Sequence, residues 1–293
     1  MTGSSDDGAR PVDTGRAPPA TGQDAAAVDG ALLQLRSVGK SFGPVRALGG
    51  VDLDIPAGQV TALVGDNGAG KSTLIKTIAG IWAPSEGHLI WQGRRVHFRT
   101  PRDANEAGIA TVYQDLALCD NLDIVENMLL GHEVRRHLLL DEVTMEQTAK
   151  QTLKDLRVVT VQNIRQSVGS LSGGQRQSVA VAKAVMLDAR LVIMDEPTAA
   201  LGVSQTAQVL DLIKRLSERG IAVLMVSHNL TDVFQVADRL AVLYLGRLVS
   251  VGPVADYDTA SAVDLMTTGV SHRTRGADAP DSPARIPDRG PEG

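Results

Sequence analysis

One octapeptide restricts this chain more than any other stretch. Gly65-Asp66-Asn67-Gly68-Ala69-Gly70-Lys71-Ser72 fits G-x-x-x-x-G-K-[ST] at each fixed position. The apolar run Val60 to Val64 precedes it and a helical stretch, Thr73 to Ala79, follows, which is the strand-loop-helix setting the motif requires. Glycines let a backbone wrap phosphate groups with its N–H donors turned inward, at the positive end of a helix dipole. Lys71 would reach the β- and γ-phosphates, the Ser72 hydroxyl would sit on Mg²⁺, and Thr73 continues the cradle. Average residue frequencies make a chance match in a chain this long roughly a one-in-a-hundred event. By itself the loop names a nucleotide-binding class and no activity.

Several short apolar runs, Val60 to Val64, Leu191 to Met194 and Ala222 to Val226, do not alternate with polar residues. Such runs suit strands buried on both faces of a mostly parallel sheet. Helical patterns separate them, and Val203, Ala207, Leu210, Ile213 and Leu216 recur at helical spacing up to Gly220. The fold class is therefore α/β. His88 to Phe98 reads as an antiparallel hairpin turning at Gln92-Gly93. Asp141 to Leu156 reads as a helix, which places a largely helical insertion, about 115–185, inside the α/β core. One unit is expected over 30–270. Residues 1–29 and 271–293, rich in Gly, Pro, Ala, Asp and Arg, are expected to be disordered tails.

Two further clusters carry chemistry. Leu171-Ser172-Gly173-Gly174-Gln175 precedes a helical run to Leu187, so Ser172 and the glycine N–H groups form a capped helix start able to meet an anion. Leu191-Val192-Ile193-Met194-Asp195-Glu196 is an apolar strand ending in two carboxylates, the place where α/β sheets build their sites.

Together with the octapeptide, these clusters resemble the signature and Walker B elements of ABC ATPases, over roughly Leu32 to Gly269. The resemblance implies an ABC ATPase fold: a P-loop core with a mostly parallel sheet, an antiparallel β arm and a helical subdomain. It implies ATP as ligand, with Mg²⁺ supported by Ser72, Gln114 and Asp195. Glu196 becomes the base that polarises the attacking water, Gln114 the glutamine sensing the metal, and His228 the histidine at the γ-phosphate. Phe42 falls where the family stacks a ring on adenine. Each ATP would lie between the P-loop of one copy and Ser172, Gly173, Gly174 and Gln175 of another, so a second ABC subunit is required, expected to be a second copy. Gly202 stands where the family carries an aspartate, which puts communication between the two sites in question.

A finer resemblance rests on Asp66-Asn67, on Asp115-Leu116-Ala117-Leu118 with Asp120-Asn121-Leu122, and on Ala199-Ala200-Leu201-Gly202-Val203. These look like the ATPases of bacterial monosaccharide importers. Implied partners are membrane permease subunits and, indirectly, a periplasmic or extracellular sugar-binding protein. The implied location is the cytoplasmic face of the inner membrane. Asp120 to Gly131, with Val125, Met128, Leu129 and Leu130, is either the surface that grips the permease or ordinary helical packing. The net charge of −5 and 3% aromatic content argue against nucleic acid as a partner. The N-terminus lacks the order of a secretion signal, no apolar run approaches bilayer length, and the lone Cys119 suits a reducing compartment as a structural thiol. The other reading is an ABC ATPase uncoupled from transport, acting in DNA repair, translation or assembly.

Overall fold

The computed structural model describes residues 31–137, 139–158, 161 and 163–270. The two expected tails lie outside the described residues. Strands β1 (Ala31–Phe42) and β2 (Val45–Pro56) form a long antiparallel pair. With β4 (Glu86–Trp91) and β5 (Arg94–Val96) they make a four-stranded sheet of order β2-β1-β4-β5. The β4–β5 turn falls at Gln92-Gly93, as its turn chemistry predicts. β1 and β2 escaped the sequence reading because register shifts between Leu35 and Val38, and between Val38 and Lys40, interrupt the period-two alternation.

The second sheet has six strands in the order β12-β11-β3-β10-β9-β6. They are β3 (Val60–Val64), β6 (Ile109–Val112), β9 (Leu191–Asp195), β10 (Ala222–Val226), β11 (Arg239–Tyr244) and β12 (Arg247–Pro253). All pairings are parallel except β11 with β12. Alternate residues of one strand enter different cores: Val223 and Met225 face one hydrophobic cluster, while Ala222, Leu224 and Val226 face the other. Both faces are thus covered, which is why these strands read as unbroken apolar runs. One cover is the antiparallel sheet with helices α1 (Lys71–Ile78) and α2 (Pro101–Glu106); the other is helical.

On the helical side lie α3 (Ile124–Leu129), the small hairpin β7 (Arg135–Arg136) and β8 (Leu139–Leu140), α4 (Glu142–Asp155) and α5 (Gly173–Met186). They fill the interval between β6 and β9, where the helical insertion is expected. Met145, Ala149 and Leu153 form the buried face of α4, as its periodicity predicts. Arg165 ties this region together, reaching Asp123 at 3.1 Å, Glu146 at 3.2 Å and Glu142 at 3.4 Å. Helices α6 (Val203–Glu218), α7 (Leu230–Val236) and α8 (Thr259–Thr268) complete the layer.

Burial sorts the residues of two of these helical patterns. In α6 the buried stripe is Val209, Leu210, Leu212, Ile213 and Leu216, whereas Val203 is 91% exposed and Ala207 faces solvent. In the segment 120–131, Val125, Met128 and Leu129 are buried and only Leu130 is exposed. The bland packing reading holds for three of those four side chains. Among the described residues, no helix is long and apolar enough to cross a membrane.

Candidate functional site

The parallel register decides what meets what. Val226 pairs with Leu63 on one side and with Asp195 on the other, and Met194 pairs with Val112. The loops leaving the carboxyl ends of β3, β10, β9 and β6 therefore converge, bringing the octapeptide, the Ser227-His228 segment, Asp195-Glu196 and Gln114 to one end of the sheet. A cleft of about 580 Å³ opens there. Asn67, Gly68, Gly70, Lys71, Ser72 and Thr73 form one wall; Gln114, Asp195 and Glu196 form another.

The P-loop is held by close backbone contacts. A Cβ at Gly65 would lie 2.2 Å from the Leu243 carbonyl oxygen on neighbouring β11, so only glycine fits. The Gly246 N–H donates to the Ala69 carbonyl at 2.8 Å, and the Asn67 N–H donates to the Asp66 carboxylate at 2.7 Å. Helix α1 starts at Gly70, which is left-handed at φ 105°, and no side chain caps that start. The Lys71 ammonium donates to the carbonyls of Gly65 at 2.7 Å and Asp66 at 3.0 Å. Burial lowers the Lys71 pKa, against which the charges of Glu196, Asp66 and Asp195 pull it up. Burial raises the Asp195 pKa, helped by the Glu196 charge and opposed by Lys71 and Lys76.

Glu196 follows β9 with φ 52°, a left-handed conformation for a non-glycine residue. Its N–H donates to the Val226 carbonyl at 2.9 Å. Its Oε1 stands 2.9 Å from His228 Nδ1, an imidazole whose side chain is largely exposed. A carboxylate held by backbone strain and an imidazole can receive and orient a water proton.

Not every expected residue reaches the cleft. Ser172, Gly173, Gly174 and Gln175 sit at the start of α5, outside its walls, where Ser172 caps the helix by accepting from the Gln175 N–H at 3.4 Å. Phe42 is also off the wall; its ring packs edge-on against Trp82, 4.8 Å between centroids, with the Lys40 ammonium 5.2 Å away. Val45, Arg46 and Ala47 of β2 supply that wall, with Leu245 and Gly246, and no recognised motif marked them.

Two hydrogen-bonding side chains were also missed. The Thr198 hydroxyl donates to Asp232 at 2.7 Å, pinning the segment after Glu196 to α7. Asn127, fully buried, accepts from the Cys119 N–H at 2.7 Å and donates to the carbonyls of Cys119, Leu122 and Asp123 at 2.9, 3.3 and 2.9 Å. It locks the loop between Gln114 and α3. An Asn among Ile124, Val125, Met128 and Leu129 was the available signal.

Residues 48–199 match the ABC transporter family profile. The chain belongs to the ABC transporter family. It is an ATPase of that family, and its fold agrees with solved cassettes. One, the ADP conformation of an ATP-binding cassette of an ABC transporter, aligns with TM-score 0.70 and 26% identity over 81% of this chain and 95% of that one. A dimeric bacterial ABC transporter cassette aligns with TM-score 0.64 and 25% identity over 76% and 98%. Among relatives, the fructose import ATP-binding protein of Rhizobium meliloti is 46% identical over 80% of this chain and 94% of its own length. The xylose/arabinose import ATP-binding protein of Sulfolobus acidocaldarius is 44% identical, over 81% and 94%. A ribose import ATP-binding protein of Agrobacterium fabrum is 39% identical over 80% of this chain, which spans 46% of that protein.

Proposed function

We propose that this chain is the ATP-hydrolysing subunit powering import of a monosaccharide, peripheral to the inner membrane at its cytoplasmic face. The observation that carries the hydrolytic part is the convergence of Lys71, Gln114, Asp195 and Glu196 on one cleft at the sheet end, with His228 hydrogen-bonded to Glu196. The cargo rests on the fructose and xylose/arabinose import relatives, which match this chain along nearly their whole length.

In this reading the P-loop N–H groups and Lys71 hold the triphosphate tail. Lys71 leaves its carbonyl partners for the phosphate oxygens; partial burial makes the exchange favourable for a cation short of solvent. The purine rests against the β1–β2 hairpin, where Phe42 offers a ring and Val45 apolar surface. Glu196 orients the attacking water, and His228 holds that carboxylate and faces the γ-phosphate. Ser72, Gln114 and Asp195 share the cleft and present hard oxygen donors, a set that fits Mg²⁺ completed by substrate phosphates. The ion would offset the charge on the transferred phosphoryl group.

Ser172 to Gln175 lie off the cleft of their own chain, so they serve the nucleotide of a second subunit, taken to be a second copy. Leu130 is exposed, and the exposed Gly131 and His132 that follow it border a groove lined also by Trp91, Arg102 and Arg190; we assign this surface to the permease. An external sugar-binding protein acts through that permease. The test is to copurify the chain from membranes, identify its membrane partners, and measure ATP turnover with candidate sugars. Stimulation by a monosaccharide supports the reading; partners that are nucleic-acid or ribosomal proteins would replace it.

A further inference from the structure

Gly173 and Gly174 are pressed against the segment that leaves Glu196. A Cβ at Gly173 would lie 2.7 Å from Leu201 Cδ2, and one at Gly174 would lie 3.0 Å from Gln205 Cβ and 3.4 Å from its Cα. The segment itself is stiff. Ala199 N–H donates to the Glu196 carbonyl at 3.1 Å and Leu201 N–H to the Thr198 carbonyl at 3.3 Å, while Thr198 is tied to Asp232. Glu196 and Ala200 both take left-handed backbone, with φ 52° and 60°. Gln205 closes the turn into α6 by accepting from the Gly202 N–H at 3.3 Å. The space a side chain at Gly202 would enter is open: a Cβ there meets no atom within 4 Å.

We propose that Leu201 and Gln205 are positioning residues that seat Gly173 and Gly174 on the strand-end segment carrying Glu196. The hydrolytic carboxylate of one nucleotide site and the signature glycines serving the other then move as one body within a single chain. The contact is backbone against side chain with no slack, so a shift of Glu196 when the γ-phosphate leaves displaces the start of α5. Communication between the two sites runs beside position 202 rather than through it. The inference rests on the two-copy reading proposed above.

The test uses the full chain in the Glu196→Gln background and reads ATP-bound dimer by size exclusion, alongside affinity for a fluorescent ATP analogue at the P-loop. Gln205→Ala is expected to leave that affinity within about twofold and lower the dimer population about tenfold at subsaturating ATP. Gln205→Glu keeps the acceptor oxygen and the Cγ, which would lie 3.4 Å from a Cβ at Gly174 and which alanine removes, and should restore the dimer. Leu201→Ala should behave like Gln205→Ala, with Leu201→Met recovering; both residues are half-buried, so each conservative variant serves as the control for its alanine. A dimer unchanged by Gln205→Ala, or lost equally in Gln205→Glu, overturns the proposal alone. Absence of any ATP-bound dimer in Glu196→Gln itself, with ATP still bound, overturns the two-copy reading and the proposal together.

Discussion

In the function proposed above, two helix starts in this chain meet phosphate, and they are built differently. Helix α1 begins on left-handed Gly70 with no side-chain cap, beside a half-buried Lys71. Helix α5 begins with a complete capping box: Ser172 accepts from the Gln175 N–H, and the Ser172 N–H donates to Gln175 Oε1 at 2.9 Å. The first is an anion site whose donors are already aimed and whose counter-charge is in place. The second already satisfies the Ser172 and Gln175 N–H donors, and its first-turn cation, Arg176, is engaged by Asp120 at 3.2 Å and by the Gly169 carbonyl at 3.0 Å. A lone chain should therefore bind nucleotide at α1 alone, and α5 should engage only when a phosphate already held elsewhere is delivered to it. That difference makes the second site conditional on the first without any moving part being invoked.

The largest expected effect separates binding from turnover. Glu196→Gln should lower ATP turnover roughly a hundredfold to ten-thousandfold, the usual contribution of a general base, while the fluorescent analogue still binds at α1. Turnover within twofold of the unaltered protein would remove Glu196 from that role. Next in size, Lys71→Ala should weaken nucleotide binding by about 2–5 kcal/mol, since a charged partner of the phosphates is deleted. Titration of the purified chain reads this directly, and unchanged affinity would deny that α1 is the primary site. Ser172→Ala is the matched change at the other helix. It should cost about 1 kcal/mol of stability through the lost cap, visible as a lower Tm, and leave affinity in the single chain within about twofold. If Ser172→Ala weakened nucleotide binding in the monomer as much as Lys71→Ala, the contrast between the two helix starts would collapse.

The two regions were also unequally legible. The P-loop, Asp195 and Glu196 could be placed because strand, loop and helix are contiguous there and each residue type is dictated by local chemistry. Gly65, with Leu243 on its neighbour strand, shows why: the close approach leaves one residue possible, and the sequence records it. Val45 to Ala47 were not legible as cleft wall, because they reach it through an antiparallel arm whose bulged register hid the strands. Asn127 and Thr198 were missed since their partners are backbone groups and an acid, Asp232, 34 residues downstream, and no spacing rule announces such pairs. Val203 and Ala207 fit helical periodicity yet face solvent, because periodicity gives the face of a helix and not where the core ends. In the Asp120 to Gly131 stretch the same pattern suits packing and docking alike, and burial alone separates Leu130 from its neighbours.

The smallest expected effect probes Gly202, where α6 begins. Its backbone, φ −73° and ψ 163°, is open to any residue, and the space around it is empty to 4 Å. An aspartate there can accept from the Gln205 N–H while the Gln205 side chain keeps its bond to the N–H of residue 202, completing a box that glycine leaves half-made. Gly202→Asp should thus stabilise the chain by a few tenths of a kcal/mol, on the order of 1 °C in Tm for a domain of this size. Its effect on the ATP-bound dimer decides something larger. If coupling runs through Leu201 and Gln205, the dimer population and turnover should change less than about twofold, because the carboxylate adds a cap without altering either glycine contact. A tenfold gain in dimer would mean that position 202 limits assembly after all, and that α5 is seated across the subunit boundary rather than from within its own chain.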